Sequence, residues 1–212
     1  MRSHARWHGI ERMAISLHEL TVVTGTSLET KAVARALPRV RCIEAGIALR
    51  KLDHSHLSGL VVTCGLAGGL RDGAGTGTLV VPERVSTPDG QAIRCDDEVR
   101  SAVLAVARGL GLAVDEGPLL TSSTLITGSE RADWARRGFV AADMETGFLR
   151  AARVAAVRVI LDTPQRELST LWLQPARVIA HPSIWPQALW LGLNGPRCAR
   201  LAANVLAAAV GP

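Results

Sequence analysis

Apolar positions along this chain follow two rhythms. One consists of short, nearly continuous runs rich in Val, Leu and Ile, at residues 20–24 (LTVVT), 60–64 (LVVTC), 78–82 (TLVVP), 117–121 (GPLLT), 139–142 (FVAA) and 156–161 (AVRVIL). Continuous rather than alternating apolar runs read as strands buried on both faces. The other rhythm has helical spacing, over residues 27–37, 96–110, 129–136, 144–154 and 196–210. Ser27 is placed to cap the first of these helices and Pro38 to end it, Gly111 stops the second, and the last has Pro196 in its first turn and Gly211 beyond its end. Strands alternating with helices predict an α/β fold, with a central mixed or mainly parallel sheet covered on both faces. A single domain over residues 20–212 is expected, behind an N-terminal extension at 1–19, because no regular pattern precedes Leu20 and no linker or repeat interrupts the chain beyond it.

Composition narrows the class. A chain of 212 residues suits one core, and folding at this size buries roughly 70% of the unfolded surface. The 48% apolar content, with 3% aromatic residues and no Tyr, predicts an aliphatic interior and excludes disorder. Of the net charge of +5, much sits near the start, where Arg2, Arg6 and Arg12 face only Glu11. Elsewhere Arg alternates with Asp and Glu as on a solvated face, so no nucleic-acid partner is expected. Cys42, Cys64, Cys95 and Cys198 form no C-x-x-C pair, which points to free thiols in a reducing compartment rather than zinc or disulfides. No apolar run reaches the roughly 18 residues of a membrane span, and the first residues lack a signal-peptide core. A cytoplasmic protein without a membrane span is the expectation.

Other signals are set aside on spacing. His54 and His56 have no carboxylate or Cys at ligand spacing, so no metal is expected. Gly73 to Gly77 lacks G-x-G-x-x-G spacing and precedes a strand, which reads as a turn. Ser122 and Ser123 lack a nucleophile elbow. No cofactor is implied.

Candidate chemistry lies at strand ends, where open α/β sheets gather ligands. Glu29 follows the first run, Glu145 follows the run ending at 142, and Asp162 directly follows 156–161. Each also has a structural reading, as a helix-dipole partner, a first-turn acid and a loop cap respectively. Their joint placement with a low-bulk segment at 65–70 (GLAGGL), where backbone approaches a ligand closely, favours function.

Four ordered blocks then carry a resemblance: CGLAGGL at 64–70, GTLVVP at 77–82, DMET at 143–146 and VRVILD at 157–162. Together they resemble the signature of the purine nucleoside phosphorylase and methylthioadenosine nucleosidase superfamily, across about residues 20–162, and within it the chain looks most like the hopanoid-associated phosphorylase branch. The resemblance implies a nucleoside phosphorylase-like, partly barrel-like sheet, cleavage of the N-ribosidic bond of a purine nucleoside or analogue, and a homo-oligomer of two or more subunits. It also implies roles. Met144 packs under the ribose, and Glu145 accepts hydrogen bonds from sugar hydroxyls, which suits an acceptor-only group with two oxygens. Asp162 protonates or hydrogen-bonds the leaving purine, a task that calls for a pKa raised by burial. Gly25 in the first loop, with Gly65, Ala67 and Gly68, lets backbone reach the ligand, while Leu125 and Ile126 cover the base.

The nucleophile is read from what stands at the phosphate positions. Where phosphorylases of this family keep Arg, Arg and Ser, this chain has the loop 25–30 (GTSLET), Thr63 and Leu66. Glu29 matches the nucleosidase Glu that activates water, so hydrolysis is favoured; a carboxylate repels phosphate and accepts a proton from water. Phosphate as co-substrate, held by Lys31 or Arg71, is the alternative. Three departures from the family pattern leave open a nucleoside-binding relative with weakened turnover. Leu161 stands where a Ser usually orients the catalytic Asp, with Thr163 as a substitute; Leu125 replaces a base-stacking aromatic; and the short interval from Glu145 to Asp162 implies a truncated helix. Trp172, Trp185 and Trp190 read as core or interface residues, or as an apolar pocket for a lipid-like substituent.

Overall fold

The computed structural model describes residues 17–53, 55, 57–173 and 185–211. In chain order the elements are β1 (Leu20–Thr24), α1 (Ser27–Ala36), β2 (Arg41–Glu44), β3 (Leu60–Gly69), β4 (Leu79–Val80), β5 (Arg84–Ser86), β6 (Ala92–Arg94), α2 (Asp97–Gly109), β7 (Val114–Asp115), β8 (Leu119–Thr121), α3 (Ser129–Arg136), β9 (Ala141–Asp143), β10 (Arg153–Asp162) and α4 (Trp185–Val210). The strands form one mixed sheet. Its spine is the parallel pair β3 and β10, in register from Leu60 opposite Arg153 to Gly68 opposite Asp162, with an irregularity between Ile160 and Asp162.

The other edge of β3 is shared. β1 runs parallel to its first half, from Leu20 opposite Leu60 to Val23 opposite Thr63, whereas β9 pairs antiparallel with Gly68 and Gly69. Between those two partners the edge at Gly65 to Ala67 has no neighbouring strand in either register, and the backbone groups there need other partners. That gap positions the site.

Helices α1, α2 and α4 share the largest apolar cluster with β1, β3 and β10, where Val22, Val62, Val157, Val159, Ala202 and Leu206 are buried. Truncating one such residue, Leu206 for example, costs about 2–5 kcal/mol. α3 packs separately, its Trp134 and Ala135 lying against Leu70, Leu120 and Ile126. Among the described residues all four cysteines are free, no group of side chains has metal-ligand geometry, and no helix is long and apolar enough to cross a membrane. His54, His56 and residues 1–16 lie outside the described residues.

Several sequence expectations need correction. Thr26, not Ser27, caps α1, its hydroxyl accepting from the Glu29 amide while the Glu29 carboxylate accepts from the Thr26 amide. The segment expected to be a glycine loop continues β3 as strand to Gly69, since β10 pairs with it as far as Gly68 and β9 pairs with Gly68 and Gly69. The helix expected over 144–154 is absent: a single 3-10 turn at Thr146–Phe148 leads to β10, which starts at Arg153 and leaves too few residues for a helix. α4 begins at Trp185 rather than at Pro196, which is interior. The carbonyl that Pro196 leaves unpaired, at Gly192, is on an exposed residue, so water can satisfy it.

Candidate active site

Glu29 reaches the gap in the sheet edge from the first turn of α1. Its Oε2 accepts from the Gly25 amide at 3.1 Å and from the Thr26 amide and hydroxyl, both at 2.8 Å. Its Oε1 accepts from the Leu66 amide at 2.7 Å, completing the β3 edge where no strand is available. The carboxylate is buried, at 4% exposure. Oε1 has one lone pair left, and a methyl group on Gly65 would overlap the carboxylate. Glycine is required there because the acid occupies the space a side chain would fill.

Beneath Gly65 lies Arg158, fully buried in the middle of β10. Its Nη1 is 3.1 Å from where a Gly65 Cβ would stand. Nη2 meets Asp143 at 2.7 Å and Glu145 at 3.2 Å, and the Thr146 hydroxyl at 3.2 Å; Nε has no partner. Burial opposes the charge of Arg158, but Asp143, Glu145 and Glu29 outweigh it and raise its pKa. Glu145 also touches the first loop, one carboxylate oxygen lying 2.7 Å from where a Gly25 Cβ would be. Its pKa is pushed up to about 7 by burial, with Asp143 and Glu29 adding to the rise and Arg158 opposing it.

Asp162 ends β10 beside Gly68. Its Oδ1 is 3.1 Å from the Gly68 Cβ position, and its Oδ2 is ion-paired with Arg131 of α3 and accepts from the Leu168 amide at 3.5 Å. Burial raises the pKa of this carboxyl, against the pull of Arg131. Gly68, Leu125, Ile126, Arg131, Asp143 and Met144 line a cavity of about 30 Å³ at this end.

The three acids therefore border one stretch of β3, Glu29 and Glu145 around Gly65 and Arg158, and Asp162 three residues further on. Of the binding residues, Gly25, Gly65, Gly68, Leu125, Ile126 and Met144 lie along this border, whereas the side chain of Ala67 packs into an apolar cluster with Val80 and Ile160. Of the small cavity beside Gly68 and a second, larger one, neither is lined by any of the three acids. The larger, of about 600 Å³, is bordered by Gly73 to Thr76, Thr163, Arg166 and Trp190 and by none of the acids. Thr163 has no side-chain bond to Asp162, its amide pairing with Arg166, and the Asp162 carboxyl instead meets Arg131. Lys31 is exposed and Arg71 is paired with Asp115 at 2.5 Å, so neither reaches this border.

Sequence reasoning missed both arginines. Arg158 had a signal, a lone charge inside an otherwise apolar strand, which is buried only if paired. Arg131 had none, since it sits in a polar helix whose inward face cannot be told from spacing.

The Phosphorylase superfamily model matches residues 18–174, which include every element that carries this site. The chain belongs to the phosphorylase superfamily. No curated protein matches the chain. Among solved structures, a 5'-methylthioadenosine/S-adenosylhomocysteine nucleosidase from Neisseria meningitidis, in complex with methylthio-immucillin-A, superposes with a TM-score of 0.68 at 15% identity, over 90% of this chain and 97% of that one. The corresponding nucleosidase from Helicobacter pylori gives a TM-score of 0.66 at 12% identity over 90% and 97%. Futalosine hydrolase from Helicobacter pylori gives 0.66 at 12% identity over 90% and 96%. At these identities the likeness is one of fold, and it accords with the mixed sheet and its flanking helices.

Proposed function

We propose that this superfamily member is a nucleosidase that hydrolyses the N-ribosidic bond of a purine nucleoside or a close analogue. Glu29 takes a proton from the attacking water through the free lone pair of Oε1. Glu145 holds sugar hydroxyls with Met144 packed below, and Asp162 donates to the departing base through Oδ1. Cleavage builds positive charge on the sugar, and fixed carboxylates near that charge lower the barrier.

The observation that carries hydrolysis over phosphorolysis is the charge at Gly65: three buried carboxylates, Glu29, Asp143 and Glu145, against the single guanidinium of Arg158. Like charges 4 Å apart repel by about 4 kcal/mol at an effective dielectric of 20, so this environment repels phosphate and tolerates water. At the other end, beside Gly68, a cavity of about 30 Å³ is too small for a purine. The substrate enters by displacing half-buried Leu125 and Met144, the latter having three rotatable bonds that make it easy to move.

Phosphorolysis is the second reading, and the buried cation Arg158 with its unpartnered Nε is what favours it. Incubation with adenosine, inosine and methylthioadenosine, with and without phosphate, separates the two when base release is followed. The expected outcome is release without phosphate, reduced at least 100-fold by Asp162→Asn. Release that requires phosphate selects phosphorolysis, and binding of all three nucleosides without release rejects an enzyme of either kind.

A further inference from the structure

Arg131 is 2% exposed and is the one buried residue of α3. Its Nε donates to the Ile126 carbonyl at 3.0 Å and its Nη1 to the Gly69 carbonyl at 2.7 Å. Those two bonds fix the plane of the guanidinium, leaving Nη2 directed at Oδ2 of Asp162. With Oδ2 taken, the other oxygen, Oδ1, is the one nearer Gly68, 3.1 Å from where a Cβ there would stand. On the far side of Arg131 stands Glu167, its Oε1 at 3.4 Å from Nε and its side chain 30% exposed. Glu167 is itself fixed, both its oxygens accepting from the Gly128 amide at 3.0 Å.

We propose that Arg131 is the positioning residue for Asp162, and that Asp162, Arg131 and Glu167 form a chain of alternating charge, from the buried end of β10 to the surface, that sets the pH at which Asp162 carries its proton. This rests on the reading of Asp162 as the group that assists the leaving base. A guanidinium within hydrogen-bond reach favours the ionised carboxyl and burial disfavours it. Asp162 therefore titrates where these two influences balance, and Glu167 shifts the balance by neutralising part of the charge of Arg131.

The remaining charged and titratable groups around Asp162 are otherwise engaged. Asp143 of β9, which lines the cavity beside Gly68, is paired with Arg158 at 2.7 Å. Arg158 lies four residues earlier on β10, and its Nη2 meets Asp143 and Glu145. Cys198 of α4 directs its Sγ to the Ile160 carbonyl at 3.9 Å, and burial keeps the thiol protonated by raising its pKa.

The test reads the titration of Asp162 directly, by carbon NMR of protein labelled at its Asp carboxyls, with Asp162→Asn assigning the signal and the pH profile of base release measured in parallel. In Arg131→Gln the midpoint should rise by about one to three pH units, and the corresponding limb of the pH profile should move with it. In Arg131→Lys, which keeps the charge, it should stay nearer the wild-type value than in Arg131→Gln. In Glu167→Gln it should fall, by a smaller amount, because removing the outer carboxylate leaves Arg131 less neutralised. A purely structural Arg131 predicts no such opposite signs. Midpoints unmoved in both Arg131→Gln and Glu167→Gln, or a rise in Glu167→Gln, overturn the proposal. Should Arg131→Gln not fold, the sign in Glu167→Gln decides alone, since Gln can still accept from Gly128 at that half-exposed position. Midpoints that move as stated in a protein that releases no base would reject the nucleosidase reading and leave the charge chain standing.

Discussion

At one end of the β3 border three buried carboxylates crowd one guanidinium, Arg158, while at the other a single buried carboxylate, Asp162, shares Arg131 with the half-exposed Glu167. Both arginines are buried, and both fix an acid by charge-assisted hydrogen bonds. They differ in load. Around Arg158 buried acids outnumber the one cation, and burial, with Asp143 and Glu29 adding to it, raises the pKa of Glu145 to about 7. Around Arg131 the buried charges match one to one, and the surplus lies at the rim, where solvent screens it. A reaction that generates a cation at one point and hands a proton to a base at another benefits from that asymmetry. The first end holds negative charge in place and the second holds a proton within reach.

The heaviest blow to this comparison is Arg158→Met. It leaves three buried carboxylates without their cation, and breaking a buried ion pair from one side costs about 3–5 kcal/mol. Arg131→Met strands only one buried carboxylate, which can take up a proton at modest cost, so its loss should be smaller. Urea unfolding of both variants at pH 7.5 gives the ranking. Lowering the pH should recover more stability in Arg158→Met, because more carboxylates there can be neutralised. Equal losses at both sites would remove the charge-load account.

A gentler probe uses the glycines. A methyl at Gly65 overlaps the Glu29 carboxylate and must push it off the Leu66 amide, whereas one at Gly68 stands 3.1 Å from Asp162 Oδ1, a gap that small shifts can relieve. Misplacing a catalytic group by about 1 Å costs on the order of 100-fold in rate. Gly65→Ala should therefore lose about that much in kcat, with Gly68→Ala losing less, and steady-state kinetics on any nucleoside that is turned over would show it. A Gly65→Ala protein with unchanged kcat would mean that the position of Glu29 is irrelevant to the chemistry.

The same residues mark how much of the molecule is legible in its sequence. The long buried strands are legible because both faces are apolar, and the first loop is legible as far as Glu29 in the first turn of α1. The cap is misassigned by one residue because Thr26 and Ser27 are both good caps, and only the reciprocal bond from Glu29 distinguishes them. β2, β5, β6 and β7 escape notice because strands of two to four residues are too short to carry a periodicity. The helix expected over 144–154 fails for a tertiary reason. Pairing with β3 extends β10 back to Arg153, against the helical spacing of the sequence. Acids at strand ends can be picked out one at a time, but the arginines that couple them cannot, since which carboxylate a buried cation meets depends on strands far apart in sequence.

The finest test of the comparison is the pH dependence of Glu145. Folded, this carboxyl titrates at about 7; its ordinary value is 4.5. Between those values the native state holds more protons than the unfolded chain, so the contribution of Glu145 to stability is complete below pH 4.5 and is lost as pH rises through about 7. A raised carboxyl runs opposite to the usual depressed one. At 1.36 kcal/mol per pH unit, and with the rise shared among interacting carboxylates, the loss is about 2 kcal/mol. Glu145→Gln removes that titration. The variant should match wild type below pH 4.5, exceed it in stability at pH 8, and bind nucleoside more weakly above pH 7, where the wild-type carboxylate accepts from two hydroxyls through two oxygens and an amide cannot. In wild type, nucleoside affinity should strengthen as pH rises through 7 and the acceptor becomes fully charged, in the same interval where stability declines. Thermal unfolding and binding calorimetry across pH 5–8 measure the two trends. If they ran together rather than in opposition, the excess of carboxylate around Arg158 would be serving the fold and not the ligand.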